Sequence, residues 1–488
     1  MRLDELLQGE EDTVIQGAAH LTQEMNGLTG DSRQVAPGFL FAALPGTKTD
    51  GRLFIDDAVR QGAIAVLAPL GTQLKDNADA VPLIVDENPH RRFAHLAARY
   101  YQTQPETIAA VTGTNGKTSV AYFLRQLWAA SKRQAASLGT IGIQTADTFI
   151  PGNLTTPDPV ALHRSLRELA DQGITHLAME ASSHGLDQFR LDGVRVGAAA
   201  FTNLTRDHLD YHGSMEVYLE SKAHLFADVL IDGGTAVLNA EAPEFNKLQK
   251  ICTDRGHQIL AYGIEQGDIS CKRIIEIPAG YDLDLVVNDE RFIVSLPLIG
   301  KFQIENALCA LGLAIATGEK PKSVVAALEK LQSAPGRMQI ISGHPLGATV
   351  FVDYAHTPDA LSHVLQAVRP HTKETLSVVF GCGGNRDTGK RPEMGKIAAA
   401  YSDWVIVTDD NPRKEDAIEI RQQILATCPG AQEIGDRAKA IKAAVQHLKQ
   451  GDVLVVAGKG HETGQTIGDD VHPFDDADKV RMAIEELS

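Results

Sequence analysis

Short apolar runs alternate with amphipathic helical segments along the whole chain. In the first hundred residues, apolar runs at 39–44, 64–68 and 83–85 predict buried strands. Apolar residues at helical spacing predict helices over 55–61 and 91–101. The alternation continues to the end, with further strands predicted at 107–111, 175–179, 194–201, 349–352, 376–380, 404–407 and 453–456. Strands that alternate with helices favour parallel sheets, so the sequence predicts an α/β fold throughout.

Two polar interruptions divide this pattern into three blocks. Residues 102–106, which include Pro105, separate a predicted helix from the next strand, and residues 333–337, Ser-Ala-Pro-Gly-Arg, end a helical run. A chain of 488 residues is also too long for one ordinary hydrophobic core. We therefore predict three domains, at residues 1–104, 105–334 and 335–488.

A glycine-rich segment with one lysine follows the strand predicted at 107–111. Small residues in such a segment let backbone N–H groups point at phosphate oxygens, a lysine adds positive charge, and a threonine hydroxyl can bind Mg2+. The generic pattern requires a glycine at position 111, where this chain has Val111. We nevertheless predict a phosphate-binding loop rather than an incidental glycine-rich turn, formed by Gly113, Thr114, Asn115, Gly116, Lys117, Thr118 and Ser119.

Polar residues stand at the ends of the next two predicted strands. Glu180 follows the strand at 175–179, and the strand at 194–201 leads into a segment that holds His208 between two aspartates. A carboxylate at a strand end beside a phosphate loop is well placed to bind Mg2+. The residues alone leave other interpretations open: an exposed glutamate, a structural histidine and, at Lys222, a solvated helix lysine.

The composition excludes several classes of protein. A net charge of -17 argues against nonspecific nucleic-acid binding, which needs a basic surface. The acidic start lacks the basic region of a signal peptide, and no apolar run is long enough for a membrane span, so we expect a cytoplasmic protein. The five cysteines have neither disulfide-framework nor zinc-ligand spacing. Residues 381–386 and 458–463 fail the dinucleotide fingerprint, which argues against a nicotinamide enzyme.

The phosphate loop and residues 203–213, Asn-Leu-Thr-Arg-Asp-His-Leu-Asp-Tyr-His-Gly, resemble the muramyl ligase family. The loop also resembles that of the folylpolyglutamate synthases. The resemblance implies a central P-loop-type mononucleotide-binding domain, flanked by an N-terminal UDP-binding α/β domain and a C-terminal Rossmann-like domain. It implies ATP as a substrate and a lysine carbamylated by CO2. The implied catalytic residues are Lys117, Glu180, His208 and Lys222, and the implied ligands of two Mg2+ ions are Thr118, Glu180, His208 and carbamylated Lys222.

Three C-terminal segments, at 380–391, 409–413 and 457–462, resemble the branch of this family that adds the third peptide residue. Within that branch, Asp-Asn-Pro-Arg at 410–413 is associated with meso-2,6-diaminopimelate. This amino acid carries one more carboxylate than lysine, and a guanidinium binds carboxylates in a bidentate manner. The resemblance implies an amino-acid site formed by Arg386, Asp410, Asn411, Pro412, Arg413, Gly458 and Glu462.

The resemblance also implies the remaining ligand contacts. For ATP they are Asn306, Arg337, Asp353 and His356. For the UDP-sugar and its peptide they are Gly30, Ser32, Thr47, Lys48, Thr49, Thr155, Thr156, Ser182, Gln188 and Arg190. The implied reaction joins diaminopimelate to UDP-N-acetylmuramoyl-L-alanyl-D-glutamate through an acyl phosphate, and we expect a monomer. The alternatives are a lysine-adding ligase, a folylpolyglutamate-type synthase and a noncatalytic nucleotide-binding regulator.

Overall fold

The computed structural model of the protein describes residues 1–8, the backbone of 14–16, and residues 21–46, 49–74, 81–152, 154–277 and 280–487. The chain forms two compact units. The first comprises residues 1–117, 124–262 and 312–320, and the second comprises residues 118–123, 263–311 and 321–488. Within the described ranges, no helix is both long and apolar enough to span a bilayer.

The first unit begins with a five-stranded sheet in the order β1-β5-β4-β3-β2. β1 is antiparallel to β5, and the other neighbours are parallel. Helix α3 begins where Asn88 accepts a hydrogen bond from the backbone N–H of Arg91, with Pro89 in the first turn, as is common at helix starts. The elements are α1 Leu3–Leu7, β1 Val14–Gln16, β2 Gly27–Thr29, β3 Phe39–Ala42, α2 Ile55–Arg60, β4 Ala63–Pro69, β5 Leu83–Asp86 and α3 Pro89–Tyr101.

A second sheet of the first unit is built on the strand that precedes the phosphate loop. Its order is β13-β12-β11-β6-β10-β7-β8-β9, parallel from β13 to β7 and antiparallel beyond. The carboxyl ends of β6, β10 and β11 therefore lie side by side. The elements are β6 Thr107–Thr112, α4 Lys117–Ala130, β7 Ala135–Gly139, β8 Gly142–Gln144, β9 Phe149–Ile150, α5 Pro159–Asp171, β10 His176–Glu180, α6 Ser183–Asp187, β11 Val196–Phe201, α7 Leu209–His212, α8 Met215–His224, a π-helix Leu225–Val229, β12 Leu230–Asn239, α9 Phe245–Asp254 and β13 Gln258–Tyr262.

The second unit contains three antiparallel strands, β14 to β16, and a six-stranded sheet in the order β17-β18-β22-β19-β20-β21. Only β17 is antiparallel in the latter sheet. A hairpin, β23-β24, follows it. The elements are β14 Ile269–Ile277, β15 Gly280–Val287, β16 Glu290–Leu296, α10 Lys301–Ala316, α11 Pro321–Ala327, β17 Gln339–Ile341, β18 Thr349–Asp353, α12 Pro358–Val368, β19 Leu376–Phe380, α13 Lys390–Tyr401, β20 Trp404–Val407, α14 Ala417–Leu425, β21 Gln432–Glu433, α15 Arg437–His447, β22 Val453–Ala457, β23 Gly464–Ile467, β24 Asp470–Pro473 and α16 Asp476–Glu485.

The predicted α/β fold is confirmed, and every predicted strand is present within one or two residues of its expected ends. Two segments expected to be loops contain short helices, α6 and α7. At α6 the Ser182 hydroxyl accepts a hydrogen bond from the backbone N–H of Gly185, and this N-cap stabilises a single turn that hydrophobic periodicity cannot reveal. The domain boundaries at 104 and 334 stay a prediction.

Burial of His163 on α5 predicts a loss of stability in acid. The side chain is 1% exposed, and burial, reinforced by the positive charge of His95, lowers its pKa to about 4. Between that value and the ordinary 6.5, the unfolded chain binds a proton that the folded chain does not. Stability is therefore lost as the pH falls through this window, by roughly 3 kcal/mol at pH 4 from this residue.

Urea unfolding of the wild type and of His163→Leu at several pH values between 7 and 4 tests this. We expect the variant to lose less stability on acidification than the wild type. The exposed His472, changed to Leu, is the matched control and should keep the wild-type slope. An unchanged slope in His163→Leu would show that another group causes the acid sensitivity.

Candidate active site

The predicted phosphate-binding loop lies between the end of β6 and the start of α4. Gly113 has φ +146, and a Cβ there would lie 1.9 Å from Oγ1 of Thr202, at the end of β11. The backbone N–H of Thr114 donates to the carbonyl of Asn203 at 2.8 Å, which ties the loop to the segment after β11. Gly116 also has positive φ, at +90. The loop therefore requires glycine at both positions, one for space and both for backbone conformation.

Two lysines converge on the carbonyl oxygen of Gly113. Nζ of Lys117 donates to it at 2.8 Å and also to the carbonyl of Thr114 at 2.9 Å. Nζ of Lys222, on α8, donates to the same Gly113 oxygen at 2.8 Å, and its side chain is 1% exposed. Burial, and then the positive charge of Lys117, lower the pKa of Lys222 well below its ordinary value. The solvated-lysine interpretation is thus wrong, and Lys222 is a buried amine with increased neutral, nucleophilic character.

Tyr218 precedes Lys222 by one helical turn and was not predicted from the sequence. Its hydroxyl lies 3.2 Å from Oγ1 of Thr114, and its ring centroid is 4.3 Å from Nζ of Lys222. Burial raises the pKa of Tyr218 to about 12, so the phenol stays protonated. Its i, i+4 spacing from the lysine was the only sequence signal that could have indicated its place in the site.

Glu180 is the last residue of β10 and is 1% exposed, so the exposed-glutamate interpretation is also wrong. Its carboxylate accepts the backbone N–H of Thr140 at 2.8 Å and the Thr140 hydroxyl at 3.0 Å. A Cβ on Gly139 would lie 2.1 Å from Oε1 of Glu180. The Thr140 hydroxyl is also 2.9 Å from that of Thr155, a predicted peptide contact. Thr140, which was missed, therefore holds Glu180 and links it to Thr155.

His208 lies just before α7 with φ +53 and a side chain that is 47% exposed. Its Nε2 lies 3.6 Å from Oδ2 of Asp207, and its ring packs edge-on against His184 with centroids 4.9 Å apart. Across the described residues, no three His, Cys, Asp or Glu side chains converge as a ready metal site. The predicted Mg2+ ligands are not a cluster of this type, because they include a threonine hydroxyl and a lysine carbamate. Thr118 and Ser119 are buried in the first turn of α4.

Hydrogen bonds connect the predicted peptide contacts to Glu180. Oγ1 of Thr156 donates to the Glu180 carbonyl at 3.0 Å and accepts from the backbone N–H of Ser182 at 3.0 Å. Arg190 donates to the Thr156 carbonyl at 2.7 Å and to Oε1 of Gln188 at 2.7 Å. These four predicted residues therefore form one network at the end of β10.

A cleft of about 710 Å³ in the first unit contains part of the predicted UDP-sugar site. Gly30, Gln188 and Arg190 line it, but Ser32 and Thr49 do not. Thr47 and Lys48 lie outside the described residues. The lining also includes residues that the sequence did not indicate, among them Asn26, Asp31, His90, Arg164 and Arg167. Its three arginines, Arg164, Arg167 and Arg190, make this cleft suitable for an anionic ligand.

In the second unit, the predicted ATP residues lie in α10, just before β17 and at the end of β18. The Asp353 carboxylate accepts the backbone N–H groups of Met338 at 2.6 Å and Ala355 at 2.8 Å. Burial raises its pKa, although the positive charge of Arg337 acts in the opposite direction. The Arg337 guanidinium lies over the Tyr354 ring, 4.6 Å from its centroid. The remaining two predicted ATP residues are His356 and Asn306. Burial lowers the pKa of His356, and the side chain of Asn306 donates a hydrogen bond to Gln303.

The predicted amino-acid residues lie in the loops after β20 and β22, except Arg386, which lies in the loop after β19. Asn411 donates to Oε2 of Glu462 at 2.9 Å. Gly458 has φ +118, and a Cβ there would lie 2.7 Å from Oδ2 of Asp410. Arg413 has φ +51 and donates to the Gly384 carbonyl at 2.9 Å. Pro412 is buried between Asn411 and Arg413, and Arg386 is exposed.

Two fully buried cations behind these loops were missed. Arg437 forms a bidentate pair with Asp476 at 2.7 Å for both contacts, and both side chains have 0% exposure. The same guanidinium donates to the carbonyl of Ala457 at 2.9 Å. The second cation is Lys459, whose side chain has no exposed surface and contacts Glu462. Nothing in the local sequence distinguishes either from a surface cation.

Three Mur ligase domain models match the chain: the Mur ligase family catalytic domain at residues 24–101, the middle domain at 111–314 and the glutamate ligase domain at 336–460. Over 466 residues the chain is 52% identical to the UDP-N-acetylmuramoyl-L-alanyl-D-glutamate–2,6-diaminopimelate ligase of Bradyrhizobium diazoefficiens, covering 94% of this chain and 95% of that one. The chain belongs to the Mur ligase family.

Two further similarities agree with this membership. The Rhizobium meliloti ligase of the same name is 51% identical over 463 residues, covering 95% of each chain. A solved UDP-N-acetylmuramoyl-L-alanyl-D-glutamate–2,6-diaminopimelate ligase is 36% identical with a TM-score of 0.75, covering 100% of this chain and 99% of that one. The Mur ligase fold is therefore present along the whole chain.

The phosphate loop of this Mur ligase should not tolerate a side chain at Gly113. Gly113→Ala places a methyl group against Thr202 in a backbone conformation that alanine avoids, so we expect a loss of at least about 2 kcal/mol of unfolding free energy. Gly233→Ala is the control. It also requires positive φ, +74, but no atom of the described residues lies within 4 Å of the added Cβ, so it should cost about 1 kcal/mol.

Urea denaturation of both variants measures the difference. Adding Thr202→Ala to each should recover part of the loss only with Gly113→Ala, because the two side chains then no longer overlap. Equal losses in the two glycine variants would show that backbone conformation, and not contact with Thr202, excludes other residues at Gly113.

Proposed function

We propose that this Mur ligase joins meso-2,6-diaminopimelate to UDP-N-acetylmuramoyl-L-alanyl-D-glutamate in the cytoplasm, with ATP as the energy source. The observation that carries this proposal is the pair of loops after β20 and β22. They hold a guanidinium, Arg413, which donates to the Gly384 carbonyl, and a carboxylate, Glu462, which accepts from Asn411. A fixed guanidinium suits the carboxylates of an amino acid, and a carboxylate suits its ammonium group.

The proposed reaction has two chemical steps. An oxygen of the D-glutamate side-chain carboxylate attacks the γ-phosphorus of ATP, which breaks the bond to ADP and gives an acyl phosphate. An amine of diaminopimelate then attacks the acyl carbon, loses a proton and expels phosphate, which forms the amide. Both steps move negative charge onto phosphate oxygens, and Lys117 and the backbone N–H groups of the loop are the donors that offset this charge.

The residues near the loop fit Mg2+ chemically. Glu180 and His208, together with Thr118 and a carbamate on Lys222, would supply mainly oxygen ligands, which Mg2+ prefers. The bound metal would neutralise the phosphate charge during transfer. Lys222 supports this assignment through its burial and lowered pKa, because a neutral amine can attack the carbon of CO2 and release a proton to become an anionic carbamate.

We assign the cleft of the first unit to the UDP-sugar. Arg164, Arg167 and Arg190 would bind the diphosphate, and Tyr100 and Tyr101 offer aromatic faces in the same lining. Arg190 and Gln188 also belong to the network that reaches Glu180 through Thr156. This network supports placing the sugar in the cleft and its peptide toward Glu180.

Phosphate release with purified protein, MgATP and the UDP-dipeptide tests the substrate assignment. We expect turnover with diaminopimelate and little with L-lysine. Arg413→Lys should lower kcat/KM for diaminopimelate by about 10- to 100-fold, because an ammonium group cannot make the bidentate contact that a guanidinium makes with a carboxylate. Arg255→Lys, at an exposed salt bridge, is the control.

Two other outcomes would change the assignment. No turnover with either amino acid contradicts the ligase proposal and favours a noncatalytic nucleotide-binding regulator. Equal turnover with both amino acids contradicts only the role given to Arg413 and favours a lysine-tolerant ligase.

The carbamate at Lys222 has its own test. We expect Lys222→Ala to lose nearly all activity and to regain part of it when short carboxylates are added, because these can occupy the space of the carbamate. Lys247→Ala, at an exposed lysine of α9, should keep wild-type activity. Normal rates in Lys222→Ala, or loss without any rescue across carboxylates of different length, would contradict the carbamate.

A further inference from the structure

A lysine with no exposed side-chain surface lies in the loop after β22. Lys459 is 0% exposed, and its Nζ donates to Oδ1 of Asn411 at 3.0 Å and to Oε2 of Glu462 at 3.1 Å. The glycines on either side, Gly458 and Gly460, both have positive φ, at +118 and +55. Residues other than glycine rarely adopt these conformations, so the two glycines allow the sharp turns that direct Lys459 inward.

Lys459 fixes which way the amide of Asn411 points. The amide oxygen accepts from Nζ of Lys459 and from the backbone N–H of Thr466 at 2.9 Å. An ammonium group can only donate, so the atom that faces it must be the oxygen. The amide nitrogen is then left to donate to Oε2 of Glu462, at 2.9 Å.

The same contacts leave one side of the Glu462 carboxylate available. Oε2 accepts from both Lys459 and Asn411, and the side chain is 35% exposed. Among the described residues, none donates a hydrogen bond to Oε1. A carboxylate held by one oxygen can accept a hydrogen bond from an ammonium group with the other.

Removing Lys459 would leave Glu462 and Asn411 without their shared donor. Oε2 of Glu462 would lose a charge-assisted hydrogen bond that helps to hold the carboxylate in place. The amide of Asn411 would also lose the contact that sets its orientation. Both changes act on groups that face the amino acid, while Lys459 itself has no exposed surface with which to touch a substrate.

We propose that Lys459 is a positioning residue for the amino-acid substrate. It holds Oε2 of Glu462 and so keeps the carboxylate correctly turned, with Oε1 placed to accept a hydrogen bond from an ammonium group of the incoming amino acid. This inference rests on the proposed function, because it assigns the loops after β20 and β22 to the amino acid.

Steady-state kinetics of Lys459→Met test the proposal, since methionine keeps most of the volume and removes the charge. We expect KM for diaminopimelate to rise at least about tenfold, as for the loss of a charge-assisted hydrogen bond. KM for ATP and for the UDP-dipeptide should change less than about threefold. Lys459→Arg, which keeps a cationic donor, should restore much of the affinity for diaminopimelate. Lys439→Met, at an exposed lysine of α15, is the matched control.

A double-mutant cycle with Glu462→Gln shows whether Lys459 acts through Glu462. Once the carboxylate is neutral its countercharge is not needed, so the rise in KM caused by Lys459→Met should largely disappear in that background. Equal changes in all three KM values, or additive effects in the cycle, would contradict the positioning role and indicate general structural damage. If Lys459→Met does not fold, Lys459→Gln is measured against the same expectations.

These outcomes are separate from the fate of the proposed function. A wild-type protein that does not turn over diaminopimelate contradicts the proposed function itself. A wild-type protein that turns it over, with an unchanged KM in Lys459→Met, contradicts only the role of Lys459.

Discussion

The carbonyl oxygen of Gly113 accepts hydrogen bonds from two lysines, and the chemistry of the phosphate loop depends on this arrangement. Lys117 comes from the loop itself, whereas Lys222 comes from α8, more than a hundred residues along the chain. Burial, and then the positive charge of Lys117, lower the pKa of Lys222. The loop can adopt this conformation because Gly113 has no side chain, which would overlap Thr202. The backbone of one glycine therefore holds the ends of two lysines close together.

The parts of this site that depend on local sequence could be predicted. A strand, a glycine-rich turn and a helix occur in order over a few residues, so the phosphate loop could be predicted although Val111 departs from the generic spacing. Glu180 was found because strand ends of a parallel sheet share one edge. Lys222 and Lys459 could not be identified as buried, because burial results from contacts between distant segments. For Lys222 only the family resemblance indicated a function, and for Lys459 nothing did.

The contrast between local signals and long-range contacts also explains which parts of the fold could be predicted. The parallel strands that were predicted are continuous apolar runs and were located closely, but the parallel strands β7, β12 and β13 were not predicted. The antiparallel strands β14 to β16 were not predicted. Charged residues such as Lys272 and Arg273 interrupt their apolar residues, so no long apolar run marks them. Some of their apolar residues, Ile275 and Ile293 among them, are also exposed. Helices α6 and α7 are single turns, too short for periodicity to reveal, and at α6 the stabilising contact is the Ser182 cap.

The buried lysines at the two proposed ligand sites differ in the charge of their nearest neighbours. Lys222 is buried and has a second cation as its neighbour, and both lower its pKa and so favour the neutral amine. Lys459 has a carboxylate as its neighbour, and Arg437 is paired with Asp476, so each of these buried cations has an opposite charge in contact with it. Apolar replacements of such pairs are often no less stable, so stability alone does not account for keeping them. At Lys459 the charge has a separate use, because it turns Glu462 toward the side from which an amino acid would arrive.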